Sequence, residues 1–194
     1  MMIPTNAQYV RCDQDEGDEM VQIEATWHPE RVLAALGRIG YDPAAAVMDI
    51  VDNSVSWEAE RVTIDLGVES DSPARRGRSR TRLNSVTVVD NGTGMTEEAL
   101  ANALALGSRD DDYEPDTLSK FGMGLKAAAS SLGKVLRIVT RDRNGAARVA
   151  VMDQKRIAQT GKYIYELRDP SADELQILDA VAKGGSGTAV IVQD

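Results

Sequence analysis

The stretch Val88-Val89-Asp90-Asn91-Gly92-Thr93-Gly94-Met95 (VVDNGTGM) ends an apolar run on an acid and follows it with Gly-x-Gly. An acid at a strand end, next to glycines, lets a backbone approach a flat ligand while the carboxylate accepts from an exocyclic amine. Taken alone, the same residues read equally as an Asn-Gly turn. Working outward, Val86 to Val89 forms the strand that delivers the acid. Arg61 to Val68 alternates before it, with Val62, Ile64, Leu66 and Val68 on one face. The loop between the two strands holds Arg75, Arg76, Arg78, Arg80 and Arg82.

Further upstream, Asp42-Pro43 is a helix start, a capping carboxylate followed by proline at the first helical position, and the helix is expected to run to about Ala59. At ~100° per residue, Asp49 and Asn53 stack on one face with Ala45 and Ser56 beside them. Val47, Val51 and Val55 lie opposite, joined by Ile50, as a back for the core. As an isolated segment this is equally a polar stripe facing solvent. Downstream, Thr96 caps a helix through Leu106, ended by Gly107. A long acidic loop, Ser108–Lys120, leads into Lys120-Phe121-Gly122-Met123-Gly124-Leu125-Lys126 and a helix over Leu125–Leu132 that stops at Gly133. Glycines at a helix N-terminus expose N–H groups to an anion, the dipole adds positive potential, and Lys126 offers a charge to a phosphate. By itself that segment is also an ordinary loop-to-helix junction.

The rest of the chain supplies the frame. Residues 1–19 read as a polar, acidic arm, Met20–Ala25 as a short strand and His28–Ile39 as a helix. Strand candidates fall near Val135–Thr140, Ala147–Met152 and Lys162–Leu167. Ser171 with Glu174 makes a capping box for a helix to Ala182. Gly187-Thr188 opens a closing strand over Thr188–Val192. Without regular βαβ alternation, the expected class is α+β: a mixed, mostly antiparallel sheet with helices on one face. One domain over 28–194 is expected, with 1–27 as its N-terminal arm and short strand.

Composition narrows the chemistry. In 194 residues, 42% are hydrophobic, so a sizeable core is possible, and the net charge of −9 argues against a nucleic-acid clamp spread over the whole surface. The single cysteine, Cys12, excludes an internal disulfide and fits a reducing compartment, and the single histidine, His28, leaves no His/Cys zinc site. No apolar run approaches the ~18 residues of a membrane span, and the N-terminus lacks a signal-peptide pattern, so a cytoplasmic location is expected. A P-loop and a G-x-G-x-x-G opening a helix are both missing, so nucleotide chemistry would need another cradle.

The order and spacing of Asp49–Asn53, Asp90–Gly94, Gly122–Gly124 and Gly187–Thr188 resemble the GHKL superfamily of ATPases, shared by gyrase B subunits, heat-shock chaperones, MutL, histidine kinases and MORC proteins. The resemblance covers about residues 28–194. The stretch Lys120–Gly133 is most similar to MORC-type and related prokaryotic ATPases. Histidine kinases share the second and third motifs but usually lack an acid at the position of Asp49.

That resemblance implies a Bergerat two-layer sandwich, ATP and Mg²⁺. It implies that Asn53 holds Mg²⁺ on the phosphates and that Asp90 reads the adenine amine, with Thr188 helping through water. Gly94 and Met95 would line the base, with Gly92 a nucleotide-binding residue of the same motif. Gly122, Gly124 and Lys126 would wrap the phosphates, and Ser108–Lys120 would be a mobile lid. Asp49 would be the general base that activates the attacking water. The superfamily's hydrolytic members carry glutamate there, and retracting a carboxylate by on the order of 1 Å can cost ~10²-fold, so slow hydrolysis or a binding switch is expected. The resemblance also implies an ATP-dependent homodimer at the N-terminus of something longer. The arginine loop Arg75–Arg82, with Lys134, Arg137, Arg141, Arg143 and Arg148, is a candidate DNA-contacting patch. Protein phosphotransfer of the histidine-kinase type, or nucleotide binding without turnover, are the alternatives.

Overall fold

The computed structural model describes residues 9–10, 22–23, 27–38, 42–70, 81–106 and 123–194. In chain order these form β1 (Tyr9–Val10), β2 (Gln22–Ile23), α1 (Pro29–Leu36), α2 (Pro43–Ser56), β3 (Val62–Ser70), β4 (Thr81–Asp90) and α3 (Glu97–Leu104). There follow α4 (Gly124–Leu132), β5 (Val135–Arg141), β6 (Ala147–Asp153), α5 (Gln154–Thr160), β7 (Glu166–Arg168), α6 (Ala172–Ala182) and β8 (Gly187–Gln193). β2 falls inside the strand expected over Met20–Ala25, and its antiparallel partner is β1, within the stretch read as an arm.

Six strands form one sheet in the order β3-β4-β8-β5-β6-β7. Every described pairing is antiparallel, so the mixed sheet expected from the sequence is antiparallel throughout. β8 is last in the chain yet lies between β4 and β5. That central place explains its continuous apolar run, since a strand covered on both faces cannot alternate with polar residues.

Because side chains alternate across a sheet, the registers sort them into rungs. On one face the first rung is Leu66–Val86–Val192–Leu136–Met152, and the second is Ile64–Val88–Val190–Ile138–Ala150. Helices α1 to α5 cover the central part of this face, where Leu33, Ile50, Leu100, Leu104, Ala128 and Ile157 join one core with Val86, Val88, Leu136, Ile138 and Met152. Burying each large aliphatic side chain contributes about 1.5–3 kcal/mol. On the other face, Val89, Val139, Val149, Ala189 and Ile191 pack against Leu178 and Val181 of α6. The expectation of helices on one face therefore holds for α1–α5, while α6 lies on the opposite face. It does so because β8 is apolar on both sides.

Local signals account for the helices. Thr96 accepts from the Ala99 N–H to start α3, and Ser171 with Glu174 forms the expected capping box of α6. Pro43 opens α2 as expected, but the Asp42 side chain makes no capping hydrogen bond. α5 was not anticipated, although Asp153 accepting from the Lys155 N–H and Gly161 at φ 65° mark both its ends. The buried stripe of α2 is Ala46, Ile50 and Ser54, with Val47 and Val51 at its flank, and it packs against the alanines of α4. Val55, expected in the core, is 62% exposed. Burying Ser54 turns the next residue about 100° further round the helix and out to solvent.

Candidate functional site

Two residues beyond the second apolar rung, the same face of the sheet turns polar. Thr140 pairs with Thr188, and Asp90 lies one residue past the Val89–Ala189 pair, so Asp90, Thr188 and Thr140 form a third rung. All three are buried. The Asp90 carboxylate accepts at Oδ1 from the N–H groups of Gly92 (2.9 Å) and Thr188 (3.1 Å), and at Oδ2 from the Ser54 hydroxyl (2.8 Å). Thr140 Oγ1 accepts from the Met95 N–H at 2.8 Å, donates to the Gly187 carbonyl at 3.1 Å and lies 3.1 Å from Thr188 Oγ1. A carboxylate offers about four lone-pair sites. Among the described residues three are filled by the chain, and the fourth, on Oδ2, has no partner.

The Gly-x-Gly turn is lashed to the C-terminal end of α2. Asn91 Oδ1 accepts from the N–H groups of Glu60 (3.1 Å) and Arg61 (2.8 Å), and the Thr93 N–H donates to the Trp57 carbonyl at 3.0 Å. A Cβ on Gly92 would come within 2.5 Å of that carbonyl, and one on Gly94, whose φ is +66°, within 1.9 Å of the Arg141 carbonyl. These glycines are thus required by close approach of the chain to itself. Ser186 donates to the Gly92 carbonyl at 2.8 Å, tying the loop before β8 to the same turn.

One residue before Ser54, Asn53 Nδ2 donates to the Asp49 carbonyl at 2.8 Å. The amide nitrogen is therefore held by its own helix, and Oδ1 is the atom left to face a cation. Asp49 and Asn53 are both half-buried and one turn apart, as the spacing predicted, whereas Asp52 is exposed. Among the described residues no group of three or more His, Cys, Asp or Glu could hold a metal. A lone amide oxygen fits Mg²⁺ bound chiefly through a ligand's own phosphates.

At the N-terminus of α4, an added Cβ on Gly124 would meet none of the described residues within 4 Å. Lys126 lies two residues further on with its side chain buried, and burial lowers its pKa from 10.5 to about 8. Gly122, the segment Ser108–Lys120 expected as a lid and Arg75, Arg76, Arg78 and Arg80 lie outside the described residues. Arg82 pairs with Asp194. The other arginines of the expected basic patch face carboxylates: Arg137 with Glu174, Arg141 with Asp179, Arg143 with Glu58, and Arg148 with Glu97 and Asp169. A cleft of about 510 Å³ lined by residues such as Asn84, Ser85 and Gln193 lies at the opposite end of the sheet.

The fold thus brings Asp90, Gly92, Gly94, Met95 and Thr188 together with the α2 end that carries Asn53, and packs α2 on α4. Sequence reasoning missed Ser54, Asn91 and Thr140. Thr140 alone had a readable sign, because it continues the Leu136, Ile138 alternation of a buried face with a polar residue.

Residues 41–188 match the model of the family described as Histidine kinase-, DNA gyrase B-, and HSP90-like ATPase. No curated protein sequence matches the chain. With most of its length covered, the chain belongs to this ATPase family, and that membership supports ATP binding.

Proposed function

We propose that the domain binds ATP with Mg²⁺, hydrolyses it slowly, and acts as an ATP-gated switch within a MORC- or chaperone-like protein. The observation that carries this reading is the Asp90 carboxylate, buried at the end of the sheet with one acceptor site left on Oδ2. That vacancy suits the amino group of adenine, with Thr188 beside it and Gly94 and Met95 next in line. Asn53 would hold the Mg²⁺, which supplies charge neutralisation at the phosphates. Gly122, Gly124 and the α4 N-terminus would face those phosphates, with Lys126 opposing their charge. Asp49 would orient and deprotonate the water.

Asp49 standing where hydrolytic members carry glutamate favours a second reading, nucleotide binding without turnover. Calorimetric titration with ATP, with and without Mg²⁺, paired with a phosphate-release assay, tests both. Mg²⁺-dependent binding with measurable release supports the first reading, binding without release supports the second, and no binding overturns both. For the switch, sedimentation should shift from monomer toward dimer with a non-hydrolysable analogue and not with ADP. The shift corresponds to a coupling of ~1–3 kcal/mol.

A further inference from the structure

The two edges of the six-stranded sheet are protected differently. β7, at one end, is three residues long, with Glu166 and Arg168 flanking Leu167, a short charged edge that discourages pairing. β3, at the other end, is nine residues long, contains neither lysine nor proline, and among the described residues pairs only with β4. The one irregularity in that pairing puts its extra residue, Asn84, in β4 and leaves β3 regular. Ile64 and Leu66 continue the rungs whose β4 members, Val88 and Val86, are buried. Yet Ile64, Leu66 and Val68 on that face are 44, 50 and 56% exposed. A long apolar edge with unpaired backbone groups is a template for another strand.

We propose that β3 pairs with β3 of a second copy, antiparallel about a two-fold axis at Leu66, joining two sheets into one. The sequence of the strand argues for both the occupant and the register. Leu66 is the middle residue of Val62–Ser70, so a dyad there sets all nine residues of one strand opposite the nine of the other. On one face Leu66 then meets Leu66, and Ile64 meets Val68 of the second copy, apolar beside apolar. On the other face Asp65 meets Gly67 and Glu69 meets Thr63, so no acid opposes an acid. A dyad at Asp65 would set that acid against itself, and one at Gly67 would set Asp65 against Glu69; like charges directly opposite are destabilising. A slip of one residue would put Asp65 opposite Leu66. Each copy offers one strand edge and three apolar side chains, a small contact, so the dimer is weak and reversible. Asp90 lies opposite Val62, at one end of β3. In the joined sheet the two Asp90 residues therefore sit at opposite ends, about 30 Å apart from strand rise and spacing. The contact leaves the two candidate sites apart, forms without nucleotide, and is separate from the ATP-gated dimer.

Sedimentation of the whole, nucleotide-free chain over a concentration series should show a reversible monomer–dimer equilibrium. Leu66→Lys should weaken it at least about tenfold by setting two ammonium groups face to face. Circular dichroism should show that variant folded, since a half-exposed site lets the ammonium reach water. Cysteine cross-linking in a Cys12→Ser chain reads the register. Leu66→Cys should give a disulfide-linked dimer on oxidation, because directly opposed Cα atoms lie about 4.5–5.5 Å apart. Val68→Cys should not, its counterpart lying four residues along, about 13 Å away. A wild type that stays monomeric up to about 1 mM leaves the edge to a strand from a different protein and overturns the self-pairing. Association undiminished in Leu66→Lys, growth into higher oligomers, or equal cross-linking at 66 and 68 overturns it too. Should Leu66→Lys fail to fold, the two cysteine variants decide. The ATP-gated shift is read in Leu66→Lys, where this contact is weakened and a nucleotide-dependent dimer would remain.

Discussion

The Ser54 hydroxyl donates to Oδ2 of Asp90 at 2.8 Å, a bond between side chains 36 positions apart. It joins α2 to the end of β4. One atom of Asp90 therefore holds the helix that carries Asp49 and Asn53 and, in the proposed site, would also accept from a ligand.

Substitution at Asp90 separates these two roles. In Asp90→Asn, Oδ1 still accepts from Gly92 and Thr188, and the amide nitrogen donates to a rotated Ser54 hydroxyl, so the variant folds. The free acceptor becomes a donor, facing the donor of adenine. ATP affinity should fall by at least ~1–3 kcal/mol in calorimetry. Ser54→Ala should lower stability by about 1–2 kcal/mol in urea unfolding, since a buried bond to a charged group is lost.

Asp49 is half-buried beside Asn53 on α2. Asp49→Asn should abolish phosphate release while ATP still binds, because an amide cannot take the proton of water. Asp49→Glu should keep or raise the rate by extending the carboxylate. Release at the wild-type rate in the asparagine variant would assign the base elsewhere.

Burial holds the Lys126 ammonium at about 8, below its usual 10.5. The unfolded chain then binds more protons between those values, so this group makes stability rise with pH across the window. Phosphates arriving at α4 would favour the charged form. ATP binding at pH 8 should take up as much as about half a proton. Titration in two buffers of different ionisation enthalpy measures the uptake, and Lys126→Met should remove it. Identical enthalpies in both buffers for the wild type would separate Lys126 from the phosphates.

On the opposite face, Arg168 grips Glu174 with two hydrogen bonds of 2.6 and 2.7 Å while the Ser171 N–H adds a third, and the carboxyl is held down at about 2. A depressed folded value gives stability that is present above the ordinary 4.5 and lost as pH falls toward about 2. Glu174→Gln should melt roughly 3–6 °C lower at neutral pH, taking ~1.5 kcal/mol at ~2–4 °C each. The gap should close between pH 4.5 and 2 in a series of circular-dichroism melts.

The elements with strong local signals were legible from residues alone: the alternating β3, the proline start of α2, the Thr96 cap and the Ser171–Glu174 box. So was the pairing of Asp49 with Asn53, because helical spacing alone sets it. The placement of β8 between β4 and β5 was not, since strand order depends on contacts between residues far apart in the chain. From that placement follow the third rung, the position of α6 and the apolar strand with two buried faces. The same holds for Ser54, an ordinary helix serine until α2 packs against β4, and for Val55, whose spacing suits a core it does not enter. Local geometry gave each residue its direction along its own element. Which hydroxyl meets which carboxylate was decided by packing, because a buried polar group must find its partner wherever the fold brings one within reach.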